Sequence, residues 1–263
     1  MSTLSESAAR RLAERLLDEH RRGRPFQPLA ELPMDAVDDA YRVQREYVRL
    51  RQQDQPSAVA GYKIGLTSSA MQAMCGIDSP VYGSIFADTV YPSGVELACA
   101  RFQHPGIEFE IAVRLRDTIP PDRELTLREI AAVVDGISPA LELIEDRYAD
   151  YGRLNATSLV ADNSWSAGIV LGDWQPLVAD LPERSGRIRL DGLEIDAGRV
   201  GDALDHPLAS VAWLAEQLRR RGQSLAAGAI VMTGNIVRTR FPAPGQDWEY
   251  EVDGLGSVRM RFS

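Results

Sequence analysis

Residues 107–115 read IEFEIAVRL, and this stretch decides the fold prediction. Apolar side chains occupy every second position, which is the period of a β-strand with one buried face. Glu108 and Glu110 leave the opposite face, with Cα atoms about 6–7 Å apart. The stretch therefore predicts a strand with an apolar core on one side and two adjacent carboxylates on the other.

The two carboxylates have two interpretations. Glu108 and Glu110 either form the solvated face of an amphipathic strand, or share a cation, because adjacent carboxylates repel one another. Glu142 favours the cation, since it is the lone charge in the apolar segment PALELI and a buried carboxylate needs a partner. Three carboxylates from two strands suit a hard divalent ion such as Mg²⁺ or Mn²⁺.

The pattern on either side of this stretch changes along the chain. Helical periodicity dominates residues 1–58, with Asp35 as an expected helix cap, and a mixed, mostly β pattern follows over residues 59–263. Thr126 and Glu129 form a capping box, Asp205 is an expected cap before Pro207, and residues 253–256 predict a hairpin turn. We expect an α+β protein with a helical N-terminal region and a β-rich domain.

Composition excludes several classes of function. The 263 residues include 29 Lys and Arg against 38 Asp and Glu, a net charge of −9 without basic blocks, which argues against nucleic-acid binding. No apolar run approaches the ~20 residues of a membrane span, and the N-terminus lacks the apolar core of a secretory signal. Two cysteines are too few for a disulfide framework, so we expect a cytoplasmic protein.

Lys63 is the only lysine of the chain. It is either a remnant of arginine-biased coding or a residue kept because an amine can lose its proton, which a guanidinium does not do. Its place in GYKIGLTSS, between two glycines, predicts a strand that enters a tight loop. Such a position does not favour a solvent-exposed charge that has no function.

Three further polar segments are weaker candidates. VADNS (residues 160–164) and Thr233-Gly234 are typical of turn and capping chemistry. His104 lies four residues before Glu108 and is either structural or part of the site lining. Serine-hydrolase, P-loop and dinucleotide-binding motifs do not occur.

Taken in order, several segments resemble one family over nearly the whole chain. They are GYKIGLTSSAMQ, SPVYG, HPGIEFEIA, PALELIEDRY, VADNS, HPLASVAWLA, GAIVMTG and GLGSVRMRF. The set resembles the 2-hydroxypenta-2,4-dienoate hydratase and 4-oxalocrotonate decarboxylase group of the fumarylacetoacetate hydrolase superfamily. The resemblance implies a mixed β-roll core with a smaller N-terminal α/β region, Mg²⁺ or Mn²⁺, and a small 2-oxo or 2-hydroxy-dienoic acid substrate.

The resemblance also implies roles for individual residues. The metal ligands fall on Glu108, Glu110 and Glu142, and the active-site lysine falls on Lys63, where it moves a proton or holds the developing enolate. Predicted substrate contacts are Val81, Ser164, Thr233 and Arg147. A homo-oligomer is expected, as is association with a sister hydratase or decarboxylase.

Two positions bear on the reaction. Hydratases of this group usually have an acidic residue where this chain has Val81, so an apolar residue favours decarboxylation of a 2-oxo-enedioate such as 2-oxo-3-hexenedioate over hydration of 2-hydroxypenta-2,4-dienoate. Gly106 replaces the usual Arg or Lys, and Arg147 is a candidate to take over that charge. A carbon–carbon hydrolase of acylpyruvates and a non-catalytic partner subunit are the remaining alternatives.

Overall fold

A computed structural model describes residues 4–33 and 35–263. Residues 1–3 lie outside this range. They begin the N-terminal segment that the sequence analysis did not assign as a secretory signal. The helices are α1 Glu6–Arg21, α2 Val37–Asp54, α3 Ser69–Met74, α4 Leu127–Ala132, α5 Ala156–Ala161 and α6 Pro207–Arg220. The strands are β1 Val59–Gly65, β2 Val81–Phe86, β3 Val90–Pro92, β4 Val95–Leu97, β5 Pro105–Leu115, β6 Val134–Glu145, β7 Ser166–Leu171, β8 Ser185–Leu190, β9 Leu193–Arg199, β10 Ile230–Met232, β11 Asp247–Val252 and β12 Gly256–Phe262.

The strands form two mixed sheets. Seven strands lie in the order β2-β1-β10-β5-β6-β7-β3, and five lie in the order β4-β12-β11-β8-β9. The predicted hairpin is confirmed, because β11 and β12 pair antiparallel up to Val252 opposite Gly256. Helices α1 and α2 precede all the strands, and α3 to α6 lie between strands of the β-rich part, which gives the expected mixture of helices and sheets.

The alternation along β5 builds the core between the sheets. Ile107, Phe109 and Ile111 are all at most 1% exposed. Phe109 contacts Trp248 and Tyr250 of the second sheet, with ring centroids 6.0 and 5.8 Å away. Full burial of one such side chain contributes roughly 1.5–3 kcal/mol. The apolar face of β5 therefore fixes which way its carboxylates point.

The ends of the helices partly follow the sequence predictions. The capping box of Thr126 and Glu129 at α4 is confirmed. The prediction of Asp35 as a cap is wrong, since Ala36 is the N-cap of α2 and makes no side-chain capping bond. At α6 the cap is His206, not Asp205; its ring nitrogen accepts the Leu208 N–H because Pro207 takes the first helical position.

The N-terminal helices pack on the β-rich part. Gln44 of α2 is buried, and its amide donates to the carbonyls of Tyr82 and Val160, both at 2.8 Å. These bonds tie α2 to β2 and α5. The predicted boundary near residue 58 falls between α2 and β1 and stays a prediction. No helix within residues 4–33 and 35–263 combines the length and apolar content needed to cross a membrane.

Candidate metal centre and active-site cavity

Strand register brings the three predicted carboxylates together. Glu108 and Glu110 are alternate residues of β5, and Glu108 is directly opposite Glu142 of the antiparallel β6. One oxygen from each of the three lies within 4.8 Å of the others. Glu110 and Glu142 are fully buried. A solvated strand face is therefore wrong for this side of β5.

Lys63 projects from β1 into the same cluster. Its Nζ lies 2.8 Å from Glu142 Oε1, and the residue is 4% exposed. Burial lowers the pKa of this amine, but the charges of Glu142, Glu108 and Glu110 outweigh burial, and the net shift is upward. Lys63 is thus held as a cation, yet one cation among three carboxylates leaves an excess of negative charge.

The pKa values of the carboxylates are shifted by this excess of negative charge. Burial, and then Glu142 and Glu108, raise the pKa of Glu110 well above its usual value. Burial raises the pKa of Glu142 to about 7, although Lys63 opposes the shift. Both groups are easier to keep protonated, or beside a further cation, than to leave as bare anions.

Unpaired oxygens show where a cation fits. Glu110 Oε2 accepts the Gly234 N–H at 2.8 Å, and Glu108 Oε1 accepts the Thr239 hydroxyl at 2.6 Å. Among the described residues, Glu110 Oε1 and Glu142 Oε2 have no hydrogen-bond partner. Buried oxygens without donors are costly alone and suit a hard divalent cation. The donor set therefore fits a divalent metal.

A cavity of about 80 Å³ opens beside this cluster. Its polar lining includes Lys63, Glu108 and Ser164, and the apolar lining is Leu66, Met71, Val81, Ile144, Leu154, Leu159 and Trp165. Two predicted substrate contacts, Val81 and Ser164, thus lie in the wall. The cavity joins a charged end to an apolar end, which suits a small acid with a hydrocarbon chain.

Ser164 reaches the cavity through an unusual turn. Asn163, Ser164 and Trp165 all have left-handed φ values between 51° and 57°. The Asn163 side chain pairs with the Ser84 backbone, accepting its N–H at 2.7 Å and donating to its carbonyl at 2.9 Å. A Cβ at Gly83 would come within 2.3 Å of the Asn163 carbonyl oxygen. Only glycine lets β2 approach this turn so closely.

Two predicted contacts point elsewhere. The Thr233 hydroxyl donates to the Ile111 carbonyl at 2.9 Å and is not in the cavity lining. Arg147 is fully buried; its guanidinium bonds Asp162 Oδ2 at 2.5 Å and the Arg24 carbonyl at 3.2 Å. The geometry gives Arg147 a structural partner instead of a place beside Glu108, Glu110 and Glu142.

The packing around Gly106 leaves no room for the Arg or Lys that is usual at this position. A Cβ there would come within 2.8 Å of Ile144 and 2.9 Å of Thr239. Both side chains line the cavity and fill the space that a longer residue needs. Among the described lining residues, Lys63 is the sole cation.

Sequence reasoning missed Thr239 and Tyr151, which also line the cavity. Thr239 reaches Glu108 because its neighbour Arg240 pairs with Ile107 through an isolated bridge. Tyr151 lies in a short helical turn after β6. Neither residue lies in a sequence motif that would have marked it as part of the site. His104 is not in the lining; it bonds Asp146 instead.

Comparisons with known proteins agree with this geometry. A 4-oxalocrotonate decarboxylase from Pseudomonas putida is 34% identical over 227 residues, covering 85% of this chain and 84% of the relative. A 2-keto-4-pentenoate hydratase from Burkholderia vietnamiensis is 32% identical over 255 residues, 96% of each chain.

Solved structures give the same result. The 4-oxalocrotonate decarboxylase from Pseudomonas putida G7, complexed with magnesium and adipate, superposes with a TM-score of 0.91 at 31% identity over 100% of both chains. The model of the fumarylacetoacetate (FAA) hydrolase C-terminal family matches residues 68–263. These matches confirm the expected fold, and the chain belongs to the fumarylacetoacetate hydrolase family.

Proposed function

We propose that this protein is a Mg²⁺-dependent lyase that removes CO₂ from a 2-oxo-enedioate such as 2-oxo-3-hexenedioate. The observation that carries the proposal is the buried trio Glu108, Glu110 and Glu142 with Lys63 at 2.8 Å, beside an apolar-walled cavity. Relatives named as decarboxylases and hydratases support a metal-dependent lyase. The relative bound to magnesium and adipate supports magnesium, with Mn²⁺ as the alternative, and a dicarboxylate of this length.

The roles of the residues follow from their positions. Glu108, Glu110 and Glu142 would hold the ion, which supplies a Lewis acid for the 2-oxo group when bound. Lys63 carries its proton at Nζ and is placed to donate a hydrogen bond to the oxygen on which the dienolate charge develops. Glu142 keeps that ammonium in position.

The apolar wall has its own role. Val81, Leu154 and Leu159 keep water from the carbons that become the diene, and they offer no hydrogen bond to the carboxylate that leaves. A carboxylate that is poorly solvated in the ground state loses CO₂ more easily, because the transition state spreads its charge along the chain. An apolar residue at position 81 thus supports decarboxylation.

The second candidate is hydration of 2-hydroxypenta-2,4-dienoate. It is favoured by the lack of a second cation among the described lining residues, since a substrate with one carboxylate does not need one. The acylpyruvate hydrolase and the non-catalytic partner are weaker alternatives. The described lining residues include no Ser–His–Asp base system, and the complete carboxylate trio argues for activity.

One assay separates the two main reactions. The purified protein with Mg²⁺ is given 2-oxo-3-hexenedioate or 2-hydroxypenta-2,4-dienoate, and CO₂ and the absorbance of the dienol are followed. We expect metal-dependent CO₂ release from the diacid. Hydration of the dienol without CO₂ release from the diacid would establish the second candidate, and no divalent-metal binding would favour the partner subunit.

We also propose a cytoplasmic location and a homo-oligomer, with association of a sister enzyme of the same reaction sequence. Both cysteines are free, which fits a reducing compartment. The exposed side chains of Leu193 and Ile195 on β9 are a candidate contact between copies. Sedimentation of the purified chain tests self-association.

A further inference from the structure

Each of the three clustered carboxylates has one oxygen held by the chain and one oxygen without a donor. The Thr239 hydroxyl donates to Glu108 Oε1 at 2.6 Å, and a backbone N–H donates to Glu110 Oε2 at 2.8 Å. Lys63 Nζ lies 2.8 Å from Glu142 Oε1. The second oxygen of each carboxylate has no hydrogen-bond partner among the described residues. The cluster therefore offers three free oxygens, one from each side chain.

Backbone pairing and packing fix Thr239 relative to Glu108. Arg240, the next residue, exchanges two hydrogen bonds with Ile107: the Ile107 N–H donates at 2.7 Å and the Arg240 N–H donates at 3.0 Å. The Thr239 methyl group lies against Gly106, where a Cβ would come within 2.9 Å of it. Because the backbone and the methyl group are both placed, the hydroxyl is directed at Glu108 before any ion arrives.

A hydroxyl on one oxygen changes how a carboxylate binds a cation. The donor draws electron density from Glu108 Oε1 and holds the plane of the carboxylate, so Oε2 becomes the better ligand atom. Glu108 is thereby biased towards coordination through a single oxygen. Mg²⁺ is small and demands near-ideal octahedral geometry, whereas Ca²⁺ takes more ligands and commonly accepts both oxygens of one carboxylate. Coordination through one oxygen suits the smaller ion.

We propose that Thr239 is a positioning residue that holds Glu108 as a one-oxygen ligand and so favours Mg²⁺ over Ca²⁺. The inference rests on the proposed metal site. The donor to Glu110 belongs to the backbone and no substitution removes it, while loss of Lys63 would change the charge of the cluster. Of the three groups that hold the carboxylates, Thr239 is the one whose hydroxyl can be removed with backbone and charge unchanged.

Loss of the hydroxyl has two effects on Glu108. The carboxylate gains rotational freedom, which weakens the binding of either cation, because an outer partner orients the ligand. Oε1 also becomes available as a second ligand atom. This second effect offsets part of the loss only for the cation that accepts two oxygens from one carboxylate. Mg²⁺ therefore loses more affinity than Ca²⁺, and the ratio of the two dissociation constants measures the difference.

The test is calorimetric titration of metal-free protein with Mg²⁺ and, separately, with Ca²⁺. Thr239→Val removes the hydroxyl and keeps the branched shape. We expect its Kd for Mg²⁺ to rise about 10–100-fold, the cost of losing an outer partner of a ligand. Its Kd for Ca²⁺ should rise by at least ~5-fold less, since both oxygens can then bind. Thr239→Ser keeps a hydroxyl and should keep the wild-type ratio.

Thr89→Val is the matched control. Thr89 is also half-buried, and its hydroxyl donates to the Phe86 carbonyl at 2.9 Å, outside the cavity lining. We expect wild-type Kd values for both ions. Denaturant unfolding without metal checks that each variant folds, and Thr239→Ala replaces Thr239→Val in the comparison if the valine variant does not fold.

Three results would overturn the role of Thr239. They are a wild-type Kd for Mg²⁺ in Thr239→Val, an equal rise of Kd for both ions, and a Thr239→Ser variant that behaves as Thr239→Val does. A wild-type protein that binds neither ion overturns the proposed metal site as well. The titrations use no substrate, so failure of the proposed decarboxylation in the CO₂ assay is distinguished from failure of this inference.

Discussion

The molecule contains two buried clusters of charged side chains. In one the negative charge is balanced by its partners, and in the other negative charge is in excess. In the first, Asp162 is bound by Arg147 at 2.5 Å and by His20 Nε2 at 2.6 Å, one partner for each oxygen. In the second, Lys63 faces three carboxylates. Burial raises the pKa of both Asp162 and Glu142, but only at Asp162 do the partners, His20 and Arg147, reverse the shift and lower the pKa.

The difference separates a structural ion pair from a binding site. Asp162 is saturated by groups of the chain itself, so nothing further is needed to keep its charge in the interior. Glu110 and Glu142 keep oxygens without donors. A buried cluster that its own chain leaves short of positive charge is one that an added cation stabilises.

Removing a partner from the saturated cluster should have the largest effect. Arg147→Met leaves Asp162 buried with one oxygen unpaired, and we expect a loss of about 3–5 kcal/mol in the free energy of unfolding. Denaturant unfolding measures it. Because Arg147 does not line the cavity, we expect the folded fraction to keep the wild-type KM; a raised KM would return Arg147 to the substrate site.

Replacing a carboxyl group of the unsaturated cluster should have the opposite effect on stability. Burial and the neighbouring carboxylates already make Glu110 costly to ionise, so we expect metal-free Glu110→Gln to be at least as stable as the wild type. Its affinity for Mg²⁺ should fall by ~100-fold or more, since loss of a ligand exceeds the 10–100-fold cost of losing an outer-shell partner. Calorimetric titration measures the affinity; wild-type binding would contradict the predicted ligand set.

Stability against pH should distinguish the clusters in metal-free protein. Glu142 has a folded pKa of about 7, above its unfolded value. The folded state therefore binds more protons, and stability falls as pH rises from about 4.5 to 7, by about 3 kcal/mol. Saturating Mg²⁺ should flatten this slope.

The contribution of Asp162 to stability depends on pH in the opposite direction. Its folded pKa is lowered, so its contribution is present above the unfolded value near 3.8 and is lost as pH falls through the folded pKa. Thermal unfolding in matched buffers, with and without Mg²⁺, separates the two effects. A metal-free protein whose stability rises from pH 5 to 7 would contradict the assignment for Glu142.

The smallest effect concerns the lysine. Lys63→Arg keeps the positive charge beside Glu142 but replaces a compact donor with a planar fork. We expect a stability close to that of the wild type and a kcat lower by about tenfold, measured as CO₂ release. Full activity would show that Lys63 serves only as a charge.

The sequence predicted what depends on local spacing. Alternation placed Glu108 and Glu110 on one face of a strand, and the lone charge in PALELI identified Glu142 as their partner. The capping box of Thr126 and the hairpin at residues 253–256 are also local patterns. Each of these follows from residues within one turn or strand of one another.

What the sequence did not reveal depends on distant contacts. Thr239 lies 131 residues from Glu108 and reaches it only through the pairing of Arg240 with Ile107. Arg147 was expected at the substrate as a candidate to replace the cation missing at Gly106, but two left-handed residues, Arg147 and Tyr148, turn the chain towards Asp162. Such turns depend on which segments meet in space.

The pairing of Glu108 with Glu142 across β5 and β6 has a consequence for errors in folding. A slip of one residue would turn every side chain of β5 to the other face, moving Phe109 into the cavity and the two carboxylates into the apolar core. The same slip would thus destroy the core and the cation site at once. We therefore expect bound metal per chain to report the fraction of molecules that have assembled in the correct register.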